Sequence, residues 1–260
     1  MRLTGQGVVV TGAGGGIGRA IALAFAAEGA GVAAADLGES ADAVAAEIRG
    51  AGGAAVAVRA DVCRADDMAR LARGAVQEFG RLDVLVTCAG IDDGGLLAEQ
   101  DEGEWLRVID VNLGGTYRAI RAALPPMMAR RAGRIVTISS IMGRVGGYGY
   151  VTAYVTSKHG VIGLTRSLAA ELGSQGYPGI TVNAICPGHV RAGMGLKAQP
   201  TKAGPVAGAD IFERYYKRQV AQRRMIEAGE IAAAAVFLTL PESAGITGQA
   251  LNVDGGLVMS

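Results

Sequence analysis

Short apolar segments alternate along this chain with longer segments rich in alanine and leucine. The short segments are apolar at consecutive positions, which is typical of strands covered on both faces. We predict strands at Gly7–Thr11, Gly31–Ala35, Ala54–Arg59, Leu82–Val86, Arg134–Ile138, Ile180–Ile185 and Ala250–Val253. We predict helices at Ile17–Glu28, Ala41–Arg49, Ala65–Phe79, about Glu104–Arg131, Val151–Leu172 and Glu230–Leu238.

The repeated strand–helix–strand order predicts an α/β fold with a doubly wound parallel sheet. The seven predicted strands give a sheet of about seven strands. Right-handed crossovers between them should place helices on both faces of this sheet. The 260 residues contain neither a linker nor a repeat, and we expect one domain over residues 1–260. The irregular segment Gly188–Phe212 is rich in Gly, Pro, Ala and Lys, and we expect it to form a lid over a substrate.

The composition excludes several classes of partner and site. The chain has 25 basic and 24 acidic residues, so its charge gives no reason to expect a nucleic acid or an anionic membrane as a partner. Cys63, Cys88 and Cys186 are far apart, and with only two histidines no metal site is expected. No apolar segment is long enough to span a bilayer and the N-terminus does not resemble a signal peptide, so we expect a cytoplasmic protein with reduced thiols.

A glycine-rich segment lies between the first predicted strand and the first predicted helix. Gly12, Gly16 and Gly18 follow the spacing GxxxGxG, with Ile17 before the last glycine. Positions without a side chain let the backbone approach a pyrophosphate, and the helix N-terminus supplies amide donors. The alternative is that these glycines only make a tight turn in a chain that has 41 of them.

Asp36 lies at the end of the second predicted strand, where its carboxylate can accept hydrogen bonds from an adenosine ribose. A carboxylate there would also repel a 2′-phosphate, and no Arg or Lys lies between Gly12 and Gly18. We therefore predict NAD(H) rather than NADP(H) as the cofactor. The alternative is that Asp36 caps the helix that follows.

Tyr154 and Lys158 are four residues apart in a predicted helix and so share one face of it. A free phenol titrates near ~10, and a neighbouring cation favours the phenolate. A shift of the phenol pKa to about 7 needs roughly 4 kcal/mol of differential stabilisation. By itself this spacing also fits an ordinary solvated Tyr and Lys, and the surrounding motifs decide between the two readings.

Several motifs in a fixed order make the chain resemble the short-chain dehydrogenase/reductase family over nearly all of its length. They are TGAGGGIG at 11–18, Asp61-Val62, TCAG at 87–90, Asn112, ISSIMG at 138–143, Tyr154 with Lys158, Pro187-Gly188 and NVDGG at 252–256. The resemblance implies a single-domain Rossmann fold, a nicotinamide cofactor and a homotetramer.

The resemblance also implies roles for four catalytic residues. Ser140, rather than Ser139, would hydrogen-bond the substrate oxygen, and Tyr154 would be the general acid/base. Lys158 would lower the pKa of Tyr154 and hold the nicotinamide ribose. Asn112 would hold a water molecule that links Lys158 to solvent. Alternatively, the serines cap a strand end, and Asn112 bonds to the backbone and kinks its helix.

Further cofactor contacts follow from the same resemblance. Asp61 and Val62 would border the adenine, Ala89 and Gly90 the adjacent ribose, and Pro187-Gly188 the nicotinamide, unless this last pair is an ordinary turn. The full predicted cofactor set is Gly12, Gly16, Ile17, Gly18, Asp36, Asp61, Val62, Ala89, Gly90, Tyr154, Lys158, Pro187, Gly188 and Val190.

Two positions depart from the family pattern. Cys88 replaces an amide that steadies the sheet, and we expect a structural compromise rather than a redox site. Ala192 stands where many members have a threonine that binds the nicotinamide carboxamide, so backbone groups would have to bind it.

The expected reaction is the interconversion of a secondary alcohol and a ketone. Residues 212–217 and the C-terminal residues resemble those of sugar-alcohol and small-diol dehydrogenases in this family, which favours a polyol, sugar alcohol or small diol as substrate. Residues 157–161 and 184–187 also resemble those of polyketide and 3-oxoacyl reductases, which makes a 3-oxoacyl or polyketide ketoreductase the alternative. A non-catalytic NAD-sensing protein is a third possibility, although it would not need both Tyr154 and Lys158.

Other residues complete the expected pocket. Met142, Tyr148, Tyr150 and Met194 are candidates to line it, although the two tyrosines could equally be exposed loop residues. Lys197 and Lys202 could attract an anionic substrate, or could be solvated residues of the lid. His159 and His189 are expected to be structural.

Overall fold

The computed structural model describes residues 1–92, 94–146, 149–197 and 207–259. Its seven parallel strands are β1 Gly7–Thr11, β2 Gly31–Asp36, β3 Ala55–Arg59, β4 Val84–Thr87, β5 Gly133–Ile138, β6 Ile180–Pro187 and β7 Ala250–Val253. The helices are α1 Gly16–Ala27, α2 Ser40–Gly50, α3 Ala65–Phe79, α4 Glu102–Ile109, α5 Gly115–Arg130, α6 Thr152–Ser174, α7 Gly208–Ile211 and α8 Ala228–Thr239. Tyr148, Lys202 and the part of the predicted lid at 198–206 lie outside the described residues.

The strand order is β3-β2-β1-β4-β5-β6-β7, which confirms the doubly wound parallel sheet. From β1 the chain proceeds outward to β3 and then crosses back to β4, on the other side of β1. Loops that leave β1 and β4 therefore diverge to opposite faces and open a crevice at the carboxyl ends of these strands. Ligands of open α/β sheets bind at such a switch point.

Helices cover both faces of the sheet, and each face has its own apolar core. On one face, Phe25 of α1 and Val236 of α8 belong to the cluster that contains Val8 and Val10 of β1. On the other face, helices α3, α5 and α6 pack over the remaining strand side chains, among them Leu85 of β4. The runs of consecutive apolar residues arise because each strand is buried on both faces.

The predicted helix Glu104–Arg131 is wrong in one respect, because it is not continuous. Helix α4 ends at Ile109, a wider π-helical turn follows at Asp110–Gly114, and α5 then begins at Gly115. The side chain of Asn112, inside the wide turn, bonds to the backbone of Ile91 rather than to solvent. Such turns are inserted into helices mostly at functional sites.

The remaining differences are at element ends. Strand β4 begins at Val84 instead of Leu82, and Asp83, just before it, accepts a hydrogen bond from the Gly7 N–H through its side chain and pairs with Arg81. Strand β6 continues to Pro187, because its last residues pair with β7. Part of the predicted lid is regular, with a 3-10 turn at Gly193–Leu196 and helix α7 leading into a π-helical turn at Phe212–Tyr216.

Among the described residues, no helix has both the length and the apolar character needed to cross a membrane.

The packing predicts a large difference between two leucine truncations. Leu85 is 1% exposed in the centre of the sheet, whereas Leu97 is 65% exposed in the loop after β4. We expect Leu85→Ala to lower the free energy of unfolding by about 2–5 kcal/mol, because it leaves a cavity that the sheet cannot close. Leu97→Ala should change it by less than about 0.5 kcal/mol. Urea denaturation measures both, and equal losses would contradict this description of the core.

Candidate active site

A cleft of about 900 Å³ opens at the carboxyl ends of β1, β2, β4, β5 and β6. Every residue of the predicted cofactor set lines it, and so does Ser140. Of the predicted catalytic residues, only Asn112 lies behind the wall, where it is 1% exposed. The structure thus brings together predicted residues that are up to 178 positions apart in the sequence, from Gly12 to Val190.

The glycine loop is shaped for close contact with a ligand. Gly12 has a φ of +67°, and a Cβ there would lie 2.7 Å from the backbone nitrogen of Ala89. A Cβ at Gly18 would collide with the carbonyl of Gly12, while Gly16 has a φ of +53° and is the first residue of α1. The loop therefore lies against the end of β4 and presents the amino end of α1 to the cleft, which fits a pyrophosphate. These contacts exceed what a simple turn requires.

Thr11, which the sequence analysis missed, joins the ends of β1 and β4. Its hydroxyl accepts hydrogen bonds from the backbone N–H groups of Cys88 and Ala89, at 3.2 and 3.3 Å. Burial raises the pKa of the Cys88 thiol to about 12, so this thiol is protonated at neutral pH. A threonine at a strand end is common, and only its pairing with β4 identifies its role.

Asp36 is held beside the glycine loop. One carboxylate oxygen accepts from the Gly14 N–H at 2.9 Å and the other from the Leu37 N–H at 2.8 Å. The next helix has Glu39 as its N-cap, so the alternative reading of Asp36 as that cap is wrong. The carboxylate lines the cleft at the end of β2, one strand away from the glycine loop.

Tyr154 and Lys158 lie in the first two turns of α6 and face the cleft. The Lys158 ammonium lies 5.5 Å from the centroid of the Tyr154 ring and donates to the carbonyl of Ile138 at 2.9 Å. Lys158 is only 4% exposed, and this desolvation lowers its pKa to about 8. A cation so close to the phenol stabilises the phenolate form relative to the neutral one.

The two serines at the end of β5 have different partners. The Ser139 hydroxyl donates to the carbonyl of Lys158 at 2.9 Å and so fastens α6 to the sheet. The Ser140 oxygen accepts from the N–H of Met142 at 3.1 Å, which leaves its own hydrogen available to a ligand in the cleft. This geometry favours Ser140 over Ser139 as the residue that contacts substrate.

Asn112 connects three segments behind the Tyr154–Lys158 pair. Its amide oxygen accepts from the N–H of Ile91 at 2.8 Å, and its nitrogen donates to the carbonyl of Ile91 and to the hydroxyl of Ser157. Ser157 in turn donates to the carbonyl of Tyr154 at 2.7 Å. These contacts match the structural alternative for Asn112, and a water relay through it stays a prediction. Ser157 was missed, although its position three residues after Tyr154 allows this bond.

Pro187-Gly188 is more than an ordinary turn. A Cβ at Gly188 would lie 2.8 Å from Asp254, and the N–H of Gly188 donates to the carbonyl of Val253. The C-terminal segment thus sets the path of the chain past the end of β6. Ala192, in the register of the missing threonine, also lines the cleft.

Other residues border the substrate end of the cleft. Tyr150 has a φ of +76°, unusual for a bulky residue, and its carbonyl accepts from the N–H of Gly95 at 3.0 Å. It lines the cleft together with Met142, Met194 and Lys197. Tyr150 is therefore a pocket residue, and its strained backbone joins the loops that follow β4 and β5.

His189 lines the cleft and packs against two aromatic rings, and its expected structural role stays a prediction. Its ring lies 4.1 Å from that of Tyr216 and 5.6 Å from that of Phe212, between centroids. Burial lowers the pKa of His189 to about 4, so the imidazole is neutral at physiological pH.

The described residues contain no cluster of His, Cys, Asp or Glu that could hold a metal ion.

Comparison with known proteins gives matches over the whole chain. A family model described as Enoyl-(Acyl carrier protein) reductase matches residues 12–258. The 3-oxoacyl-[acyl-carrier-protein] reductase FabG of Staphylococcus aureus is 40% identical, covering 100% of both chains. The chain is a short-chain dehydrogenase/reductase.

Two further relatives are a short-chain reductase and a polyketide ketoreductase. The short-chain reductase protein NovJ of Streptomyces niveus is 43% identical over 95% of this chain and 92% of its own. A crystal structure of a variant of actinorhodin polyketide ketoreductase with NADPH superposes with a TM-score of 0.88, at 36% identity and 97% coverage of each chain. As a short-chain dehydrogenase/reductase, the chain is an oxidoreductase for which a nicotinamide cofactor is expected.

The buried ammonium predicts a specific dependence of stability on pH. The pKa of Lys158 is about 8 in the folded chain against an ordinary value of 10.5. The unfolded chain therefore binds the proton more tightly between these pH values, so stability rises as the pH increases from about 8 to 10.5, by at most about 1.4 kcal/mol per pH unit. Below pH 8 the full cost of burying the charge is present.

Lys158→Met should remove this rise, as measured by urea denaturation at fixed ionic strength between pH 7 and 10. Lys217→Met is the matched control, because Lys217 is exposed and pairs with Glu213 on the surface. Its stability should follow that of the wild type across the range. Parallel curves for Lys158→Met and the wild type would show that the ammonium is not desolvated.

Proposed function

We propose that this protein is a ketoreductase that reduces the 3-oxo group of an acyl thioester to a 3-hydroxyl. The observation that carries the proposal is full-length likeness to 3-oxoacyl reductases, combined with a cleft in which Ser140, Tyr154 and Lys158 converge. The reading ranked first from sequence, a polyol or small-diol dehydrogenase, rested on short C-terminal resemblances. The relatives favour the ketoreductase alternative instead.

The chemistry follows from the positions of the side chains. A reduced nicotinamide bound at the end of β6 would supply a hydride to the carbonyl carbon, which becomes the carbinol. Ser140 donates its free hydroxyl hydrogen to the carbonyl oxygen and orients it toward Tyr154. Tyr154 transfers its phenolic proton to that oxygen as negative charge develops there. One ketone, one hydride and one proton thus give one alcohol.

Lys158 and Asn112 support this proton transfer. The Lys158 ammonium stabilises the phenolate that Tyr154 leaves behind and can hold ribose hydroxyls of the cofactor. Asn112 fixes the backbone of Tyr154 through Ser157. We also propose that Asn112 takes part in returning a proton to Lys158 through water. A non-catalytic sensor would need none of these groups, which argues against that reading.

For the cofactor, we propose a preference for NAD(H). The support is the carboxylate of Asp36 beside the glycine loop, together with the absence of any Arg or Lys between Gly12 and Gly18. The related ketoreductase structure contains NADPH, so this preference separates the chain from that relative.

We also propose a cytoplasmic location and a homotetramer. The large hydrophobic side chains of Leu106 on α4 and Tyr117 on α5 are exposed, which supports the homotetramer.

Tyr154→Phe tests the mechanism. Without the phenolic proton, kcat for reduction of a 3-oxoacyl thioester should fall by at least about a hundredfold, which is the usual contribution of a general acid. The dissociation constant for NADH should change little, since the ring remains. Activity is followed as the loss of NADH absorbance, and NADH binding is measured by fluorescence titration.

Tyr215→Phe is the control, because Tyr215 is 58% exposed in the π-helical turn at Phe212–Tyr216 and should keep full activity. Acetoacetyl thioesters are assayed with NADH, whereas sugar alcohols and small diols are assayed in the opposite direction, as NADH formation from NAD⁺. Faster turnover of a diol than of any 3-oxoacyl thioester would overturn the substrate proposal. Wild-type turnover by Tyr154→Phe would overturn the mechanism.

Asp36→Asn tests the cofactor preference. The amide keeps an acceptor for Gly14 but removes the negative charge, so affinity for NADPH should rise relative to NADH by about tenfold or more. The affinities are measured as dissociation constants for both cofactors. Asp42→Asn, an exposed position on α2, is the control and should leave the ratio unchanged. An unchanged ratio in Asp36→Asn would remove the basis for assigning NAD(H).

A further inference from the structure

Arg59 lies next to Asp36 at the carboxyl end of the sheet, and it has no role in the motifs or in the proposed mechanism. Arg59 is the last residue of β3 and pairs in register with Asp36, the last residue of β2. Because paired residues of parallel strands project to the same side of the sheet, the two side chains leave the same part of that edge. They form no ion pair within the described part of the chain.

The Arg59 guanidinium is held close to the cleft wall. Its Nε donates to the carbonyl of Leu37 at 3.1 Å, and Leu37 is the cleft residue that follows Asp36. The carbonyl of Arg59 accepts from Arg70 at 2.9 Å, which steadies the backbone from the other side. One nitrogen thus anchors the exposed head group to Leu37, the residue that follows the carboxylate we assign to the adenosine ribose.

The other two guanidinium nitrogens have no hydrogen-bond or ion-pair partner among the residues that the structure describes. A guanidinium presents paired N–H groups in a planar arrangement that matches a phosphate. A 2′-phosphate on the ribose would project from the hydroxyl position that Asp36 faces. It would therefore meet the carboxylate of Asp36 on one side and the free edge of Arg59 on the other.

We propose that Arg59 is a second specificity-determining residue of the cofactor site, which binds the 2′-phosphate of NADP(H) and opposes the discrimination by Asp36. The proposal rests on the proposed nicotinamide site. It means that the wild-type protein retains measurable affinity for NADPH, and that a single charge, at Asp36, holds the preference for NADH.

The test measures dissociation constants for NADH and NADPH by fluorescence titration in the wild type, Arg59→Gln, Asp36→Asn and the double variant. In the Asp36→Asn background, Arg59→Gln should weaken NADPH binding by about fivefold or more, as expected for a charged hydrogen bond near the surface. NADH binding should change by less than about twofold. In the wild-type background, Arg59→Gln should widen the preference for NADH.

Arg73→Gln is the matched control, because it removes the same charge from an exposed position on α3. If Arg73→Gln weakened NADPH binding as much as Arg59→Gln, the effect would be general electrostatics and the proposal would be wrong. If Arg59→Gln weakened both cofactors equally, Arg59 would only support the Leu37 backbone, which also overturns it. These titrations contain no substrate, so failure of the ketoreductase proposal would be visible separately, as absent turnover with intact cofactor binding.

Discussion

A buried ammonium ion has to be solvated by the protein, and the active site is arranged around that requirement at Lys158. Removing a charge from water costs several kcal/mol unless polar groups replace the solvent. Here the carbonyl of Ile138 accepts from Lys158, while Ser139 fastens the backbone of Lys158 to the same strand. The end of β5 and the start of α6 are therefore held in one fixed arrangement, and Tyr154 is held with them.

The same arrangement extends to the long helical segment on the other side of the cleft. Asn112 reaches from its π-helical turn to Ser157 and to the backbone of Ile91, so the loop after β4 and helix α6 share one anchor. A regular α-helix would place residue 112 differently relative to Ile91, and the wide turn is the local distortion that permits both contacts. Positioning of the proton-transfer pair thus depends on three segments that are distant in sequence.

The cofactor half of the cleft is governed by close backbone contact and by charge. Gly12 allows the first loop to lie against Ala89, and Thr11 closes the contact with two hydrogen bonds. Asp36 and Arg59 end neighbouring strands with opposite charges, and the proposed choice between the two dinucleotides rests on this pair. Neither residue belongs to helix α6, which carries Tyr154 and Lys158.

The sequence by itself determined the fold class and most of the site. Consecutive apolar residues in short segments indicate strands buried on both faces, and glycine spacing and the Tyr154–Lys158 interval are local patterns. These features are readable because each depends on residues close together in the chain. Both Ser139 and Ser140 line the cleft, as their place at the end of a predicted strand implies, and the choice of Ser140 stays a prediction that its free hydroxyl hydrogen favours.

Tertiary structure alone decided what depends on contacts between distant segments. The π-helical turn contains Asn112, whose side chain bonds to Ile91, 21 residues away, and no local pattern indicates this contact. The contacts of Thr11 and the pairing of Arg59 exist only because β4 and β2 lie beside their own strands. The Asp36 carboxylate likewise lines the cleft and accepts from the glycine loop, while Glu39 is the cap of the next helix. Strand order brings these residues together, and strand order is set by the packing of the whole chain.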